Sequence, residues 1–280
     1  GWMSLSHDLH AHSTASDGTL SPAELMRRAH AAGIQVMALT DHDTLDGLEE
    51  ASLTAGSLGL GFVPGVEVSV TWDGRTVHIV GLQVDPGSET LQRGLLGMRD
   101  FRNWRAEEIG RRLDKAGFPG TYELARNCSG GALISRTHFA RALVQLGHAA
   151  TVRGVFKKFL VRGKPGFVDG EWAGLADAVG WIRAAGGVAV IAHPARYGLT
   201  RTKLRRLIAD FLQAGGLGFE VVSGSHSRDE YFSMAAHARD CGLLASAGSD
   251  YHGPENPWIE LGKLPELPPG CTPVWRHWPA

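Results

Sequence analysis

Six short apolar runs in this chain carry, or finish on, histidines and acids: DLHAHSTASDG, VMALTDHD, GVEVS, TVHIVGL, GVAVIAHP and LLASAGSDYH. That recurrence constrains the fold more than any bulk property does. Each run has the length of a buried strand; helical patterns lie between most of them, while GVEVS and TVHIVGL are joined through TWDG, which fits a hairpin-like connection. The first such helix, SPAELMRRAHAAG, has a full start signal, with Ser21 as cap, Pro22 in the first turn, Glu24 as the capping-box partner and Gly33 as the stop. Strand and helix alternate through about seven strands, which predicts an α/β fold with a parallel, barrel-like sheet. In such a barrel the C-terminal ends of the strands converge on one mouth. His10, His12, Asp17, Asp41, His42, Glu67, His78, His193, Asp250 and His252 are then aimed at one place. The pairs His10/His12 and Asp250/His252 are spaced i, i+2, which puts both members on one side of an extended chain.

Carboxylates packed this closely repel one another, and a divalent cation removes that cost. The donors are oxygen and imidazole without thiolate, which favours Mn2+, Zn2+ or Fe2+ over Ca2+ or Mg2+. Asp41 alternates in direction with His42 and is expected to support a ligand imidazole. The other nine residues are too many for one ion and suit three. Asp8 shares the alternation of His10 and His12 but lies deeper, as buried support. His7, His30, His148, His237 and His277 are read as structural or surface residues.

The 280 residues, 43% hydrophobic and 20% charged, suit one large α/β unit or a main unit with an insert. No apolar stretch reaches the roughly 18 residues of a membrane span, so no membrane association is expected. The start, GWMSLSHDLH, lacks a basic segment followed by an apolar run, so no signal peptide is expected, and the residues ahead of Met3 read as foreign to the native start. Cys128, Cys241 and Cys271 are odd in number and far apart, which predicts free thiols in a reducing cytoplasm.

One segment breaks the rhythm. Residues 88–165 hold no convincing strand but show one long amphipathic helical pattern and two shorter ones, RTHFARALVQLG and TVRGVFKKFL. This predicts a helical subdomain inserted into a barrel formed by residues 1–87 and 166–280. The net charge of −1 hides an asymmetry here: Arg93 to Lys164 carries 15 Lys+Arg against 5 Asp+Glu, and the rest of the chain 13 against 24. A basic insert facing an acidic, histidine-rich mouth suggests an anionic partner. The tail from Gly253 is Pro-rich and is expected to wrap the surface.

The six motifs, in this order, resemble those of the polymerase-and-histidinol-phosphatase (PHP) family of metal-dependent phosphoesterases, whose fold is a distorted (β/α)7, TIM-like barrel. The resemblance implies three ions: one held by His10, His12, Glu67 and Asp250; a second sharing Glu67 with His78 and His193; a third held by Asp17, His42 and His252. Mn2+ is the first expectation, with Zn2+ or Fe2+ as alternatives. Histidinol-phosphatase members often carry His where this chain has Asp17, which counts against histidinol phosphate as substrate. ISRTHFA, GKPGFV, AVIAHPARY and VVSGSHS resemble a bacterial subgroup of 3',5'-nucleotide bisphosphate phosphatases, which remove the 3'-phosphate from pAp-like nucleotides to leave the 5'-monophosphate. The implied attack is by a hydroxide bridging two ions, with Arg196 stabilising phosphoryl charge and His226 contacting phosphate or protonating the leaving oxygen. The second phosphate is expected at the insert, on Ser135, Arg136, Thr137 and His138 at a helix start and on Lys164 and Lys157. The partner is thus a small nucleotide, with no obligate protein partner implied. The alternative is a 5'→3' exonuclease on short 5'-phosphorylated RNA. An amidohydrolase is less favoured because no Lys precedes Lys115 to serve as a carbamylated bridge in the early strands.

Overall fold

A computed structural model of the chain describes residues 6–278; the residues ahead of Met3 lie outside them. In chain order the elements are β1 (His7–Asp8), α1 (Pro22–Ala31), β2 (Val36–Leu39), α2 (Leu48–Leu58), β3 (Gly61–Trp72), β4 (Arg75–Leu82), α3 (Glu89–Lys115), α4 (Thr121–Ser129), α5 (Arg136–Gln145), α6 (Val152–Val155), β5 (Ala173–Gly174), α7 (Leu175–Ala184), β6 (Val188–Ile191), α8 (Arg201–Ala214), β7 (Gly218–Ser223), α9 (Arg228–Cys241) and β8 (Leu244–Gly248). The sheet runs β1-β2-β3-β4-β6-β7-β8, with β5 as a branch on β3. Single main-chain bonds bring its two ends together, from Leu9 N to Ala247 O at 2.9 Å and from Asp250 N to His10 O at 2.8 Å. The result is the nearly closed α/β barrel expected.

The barrel is not wholly parallel. β4 pairs antiparallel with both β3 and β6. The cause is local: Asp73 and Gly74 both take positive φ, of 50° and 71°, and turn the chain tightly enough that β4 returns beside β3 as a hairpin. His78 therefore lies in the middle of a reversed strand, opposite Ser69, and not at a C-terminal strand end. β3 runs past the mouth, so Glu67 sits mid-strand, wholly buried.

Helix α1 starts with Pro22 in its first turn and Ser21 Oγ accepting from Glu24 N at 3.1 Å, as the sequence predicts, but the Glu24 side chain does not close the expected capping box. Such a cap stabilises a helix by about 1 kcal/mol. Its buried face, Leu25, Met26 and Ala29, packs with Ala51 and Ala55 of α2.

The 27-residue α3 belongs to two cores. Leu91, Leu95 and Met98 join the main barrel cluster with Val179 and Ile182 of α7. Ala106, Ile109 and Leu113 join a separate cluster with Phe139 and Leu143 of α5 and Phe159 and Leu160. Gly94 seats the first half, because a Cβ there would come 2.3 Å from the Trp181 ring. Helix α4 was not anticipated; its TYELARNCS segment buries only Thr121, Ala125 and Ser129, too short a stripe to stand out by periodicity. The tail also differs from expectation. It does more than wrap the surface: Val274 is fully buried, Pro273 bridges to Ala245, and Trp275 stacks on His7 with ring centroids 3.9 Å apart. No helix among the described residues is long and apolar enough to cross a membrane. The three cysteines are free and half-buried.

Candidate metal centre and its basic rim

Glu67 is the hub of the mouth. Its Oε1 lies 3.1 Å from His10 Nε2, 3.1 Å from His12 Nε2 and 3.3 Å from His42 Nδ1. Its Oε2 lies 3.2 Å from His78 Nδ1 and 3.4 Å from His193 Nε2. Asp250 Oδ1 approaches His12 Nε2 at 2.9 Å and His10 Nε2 at 3.2 Å. Asp17 Oδ1 faces His252 Nε2 at 3.1 Å, His42 Nε2 at 3.7 Å and His12 Nδ1 at 3.8 Å.

Three groups of donor atoms are compact enough to hold one ion each, with all atoms within 4.8 Å: His12, Asp17, His42 and His252; His10, His12, Glu67 and Asp250; and His42, Glu67 and His78. The first and second contain the third-ion and first-ion sets expected from the sequence. The remaining group differs from expectation, because His42 joins Glu67 and His78 while His193 stays outside it. His193 is held by its own backbone, at φ 29°, and its N–H donates to Glu220 Oε1 at 3.0 Å.

The donor set fits divalent ions on a further observation. His10 Nε2, Asp17 Oδ1, His42 Nδ1, both Glu67 oxygens and His78 Nδ1 are buried without a hydrogen-bond partner. A buried polar atom left so costs roughly 1–3 kcal/mol, and more when charged. Here the orphans share one cavity, and cations among them would satisfy all of them together. The field of the pocket agrees. Burial opposes charge on His12, but hydrogen bonds to Asp250 and Glu67 outweigh it and push its pKa up to about 10. The carboxylates thus call for positive charge between them.

The supporting residues explain the ligand orientations. Glu220 Oε2 accepts from His10 Nδ1 at 2.8 Å, leaving Nε2 for the cavity. His252 Nδ1 donates to Asp250 O at 2.8 Å, leaving its Nε2 for the Asp17 side. Glu220 was missed in the sequence, although an acid inside the apolar run LGFEVVS is itself a signal. Asp41 does not hold an imidazole directly. It accepts from Ser13 N at 2.8 Å, Ser13 Oγ at 2.7 Å and Ser16 Oγ at 2.6 Å, and only Ser16 Oγ, 3.5 Å from His12 Nδ1, extends it to a ligand. Asp8 is the buried support expected: it accepts from Ser249 N at 2.9 Å, and burial raises its pKa to about 6.

Across the mouth lies a group of arginines. Arg196 Nη1 donates to Asp250 Oδ2 at 3.2 Å while half its side chain stays exposed. Arg102 is buried and donates from Nε to Asp43 Oδ2 at 2.7 Å. Arg136 lies over the Phe156 ring at 5.3 Å and Arg105 over Trp172 at 5.2 Å. No carboxylate among the described residues lies within ion-pair distance of Arg105 or Arg136. Burial, then repulsion from Arg136 and Arg102, lowers the Arg105 pKa to about 9; burial, then repulsion from Arg196 and Arg102, lowers that of Arg136 to about 10. Both remain cations at neutral pH, and they lack anions.

Several residues expected to contact substrate are committed elsewhere. Thr137 Oγ1 donates to Asp17 Oδ2 at 2.9 Å. His138 is buried; its Nδ1 accepts from Ser135 N at 2.9 Å, closing a capping box, and burial pushes its pKa down to about 4. His226 has both ring nitrogens engaged with main chain: Nδ1 donates to Val221 O at 2.9 Å and Nε2 accepts from Ala195 N at 3.2 Å. It therefore has no proton free for a leaving oxygen and instead positions the turn that carries Arg196. Lys157 and Lys164 are exposed, with no hydrogen bond or ion pair tying them to the cluster.

The model of the PHP domain family matches residues 8–214. This chain belongs to the PHP family. This PHP chain is 51% identical over 271 residues, 96% of its length and 95% of the relative's, to a 3',5'-nucleoside bisphosphate phosphatase of Chromobacterium violaceum. It is 42% identical to the 5'-3' exoribonuclease Rnm of Escherichia coli, covering 97% of the chain and 93% of the relative. A solved structure from Chromobacterium violaceum, described as an amidohydrolase with bound sulfate and no metal, superposes with a TM-score of 0.94 at 50% identity, covering 97% of this PHP chain and 95% of that one. A structure from Bifidobacterium adolescentis, described as a metal-dependent phosphoesterase, superposes with a TM-score of 0.84 at 27% identity, covering 93% and 92%.

Proposed function

We propose that this chain is a divalent-metal-dependent phosphomonoesterase that removes the 3'-phosphate from 3',5'-nucleotide bisphosphates to leave the 5'-monophosphate. The observation that carries this reading is the pairing of a cation-seeking mouth with two arginines that lack acid partners, Arg105 and Arg136. Arg136 is close enough to Arg196 for their charges to repel. A substrate with two phosphates at a fixed separation answers both ends. The relatives named as a bisphosphate phosphatase and as exoribonucleases support a phosphate-ester substrate.

Divalent ions, three of them and Mn2+ by preference, would supply the charge that activates water and neutralises phosphoryl oxygens. His10, His12, Asp17, His42, Glu67, His78, Asp250 and His252 would hold them, with His193 beside Glu67. Arg196, anchored on Asp250 yet half open, stabilises charge on the transferred phosphoryl group. Arg136 and Arg105 bind the distal phosphate, stiffened by the rings beneath them. Ser135 and His138 shape the helix end there.

Phosphate release from pAp, AMP, histidinol phosphate and a 5'-phosphorylated trinucleotide, with Mn2+ added, tests the reading. Release from pAp far above AMP is expected; activity confined to histidinol phosphate overturns it. Faster turnover of the trinucleotide favours the exoribonuclease, for which Trp104, Phe101 and Trp172, gathered beside Arg105, offer base-stacking surface. Arg136→Ala should raise KM for pAp by about 10-fold or more, the loss of one charge-assisted contact, and barely affect an aryl phosphate. Equal losses on both would remove Arg136 from the distal site.

A further inference from the structure

Helix α5 of the insert meets the barrel mouth at the loop of Ser16 and Asp17. Thr137 Oγ1 donates to Asp17 Oδ2 at 2.9 Å, and Arg141, one turn on, donates from Nη2 to Asp17 O at 2.6 Å. The other carboxylate oxygen, Oδ1, is buried without a hydrogen-bond partner and faces His252, His42 and His12. The loop bearing Asp17 is tightly wound. Gly18 N donates to Ser13 O at 2.8 Å, and a Cβ at Gly18 would come 2.4 Å from His12 O. That loop fixes where Asp17 sits, and Thr137 fixes which way its carboxylate turns. The same helical turn begins with Arg136, whose guanidinium lies over Phe156 and near Arg196. One helical turn, closed by the Ser135/His138 capping box, therefore carries Arg136 on the Arg196 side and Thr137 on Asp17.

We propose that α5 is part of the third ion's site: Thr137 and Arg141 set the affinity for the ion held by Asp17, His42 and His252, and couple it to nucleotide binding at Arg136. This rests on the reading above that those three residues hold an ion. Thr137 acts through Asp17 and is a positioning residue. Its hydroxyl occupies Oδ2, so Asp17 offers the ion a single oriented oxygen. An anion that draws Arg136 and α5 toward the mouth also fastens Asp17. By linkage, an ion on Asp17 must then strengthen nucleotide binding by the same factor.

The test is metal binding, not turnover. The metal-depleted full chain is titrated with Mn2+ by calorimetry, and ions per chain are counted by mass spectrometry after equilibrium dialysis. The wild type should hold three. Thr137→Val should keep two at wild-type affinity and weaken the third by about 10–100-fold, the usual cost of losing a residue that orients a metal ligand. Thr137→Ser, which keeps the hydroxyl, should restore it. AMP should tighten the third ion in the wild type and not in Thr137→Val. Three ions at wild-type affinity in Thr137→Val would overturn the proposal. A wild type that holds only two ions, with no weaker third event, would instead sink the ion reading beneath it. If Thr137→Val loses the wild-type circular dichroism spectrum, Arg141→Gln carries the same test with the same two outcomes.

Discussion

The barrel mouth and the insert solve opposite electrostatic problems. In the mouth, acids and imidazoles from strands and loops around the barrel crowd together, buried, with orphaned atoms facing inward. In the insert, arginines rest on aromatic rings, and two of them have no acid to meet. The mouth holds buried acids and imidazoles with orphaned atoms, two arginines of the insert meet no acid, and the charges of Arg136 and Arg196 are close enough to repel. A phosphate ester bound through metal ions completes both, so specificity and chemistry can be altered separately wherever a residue belongs to only one region.

The largest effect should come from Glu67, which touches five histidines and belongs wholly to the mouth. Glu67→Gln removes the shared charge while keeping the shape. It should lower turnover at least 10^3-fold, more than 4 kcal/mol of transition-state stabilisation, and reduce the ion count, while an AMP contact at Arg136 survives. Turnover within 10-fold of wild type would mean that the mouth does not depend on its hub.

Arg102 breaks the pattern, since it is an insert arginine that does have an acid. Its Nε bonds Asp43, whose carboxylate also accepts from Ser69 N at 2.9 Å and Ser69 Oγ at 3.0 Å. Asp43 sits next to His42 with φ 52°, so this buried pair ties the insert to the ligand loop. Arg102→Leu should destabilise the fold by about 3–5 kcal/mol, because it leaves a buried carboxylate uncompensated. Arg102→Leu with Asp43→Ala should cost less than the first change alone. Chemical denaturation reads both. Strict additivity would show that the pair is not coupled.

Much of the mouth was legible in the sequence, and much less of the insert. His10 and His12 follow from a period of two, which needs no tertiary knowledge, whereas Asp250 takes φ 59° and joins their group while His252 falls in the group of Asp17. The reversal of β4 was legible in part: VHIVGL reads the same in either direction, but TWDG ahead of it fits a hairpin-like connection, and Asp73 and Gly74 form that turn. Thr137, His138 and His226 mark where motif reading stops. Their motifs place them near the site, but only the fold reveals that Asp17, a helix end and a main-chain turn already occupy their polar atoms. Glu220 and Asp43 were missed because a support residue has no spacing rule of its own.

Glu220 gives a smaller and sharper test. It orients His10 and holds His193 N without facing the insert. Glu220→Gln should weaken metal binding by about 10–100-fold and leave KM for pAp at saturating Mn2+ near wild type. A KM change matching that of Arg136→Ala would mean that mouth and insert are not separable.

The smallest effect lies outside both regions and bounds their pH response. His237 on α9 accepts at Nδ1 from Arg205 Nε at 2.8 Å, and Arg205 also bonds Asp240 at 3.0 Å. Burial, then repulsion from Arg205 and Arg201, lowers its pKa below the ordinary 6.5. The unfolded chain therefore binds this proton more readily than the folded one. Stability from the neutral ring is full above pH 6.5 and falls as the pH drops through the folded pKa. His237→Asn keeps an oxygen for Arg205 but cannot titrate. The thermal midpoint of the variant should be slightly lower at neutral pH and should fall less steeply on acidification, while kcat/KM against pH keeps its wild-type shape. A shifted activity profile would mean that the outer helices feed the mouth's protonation, and that the division between the two regions is not where the charges place it.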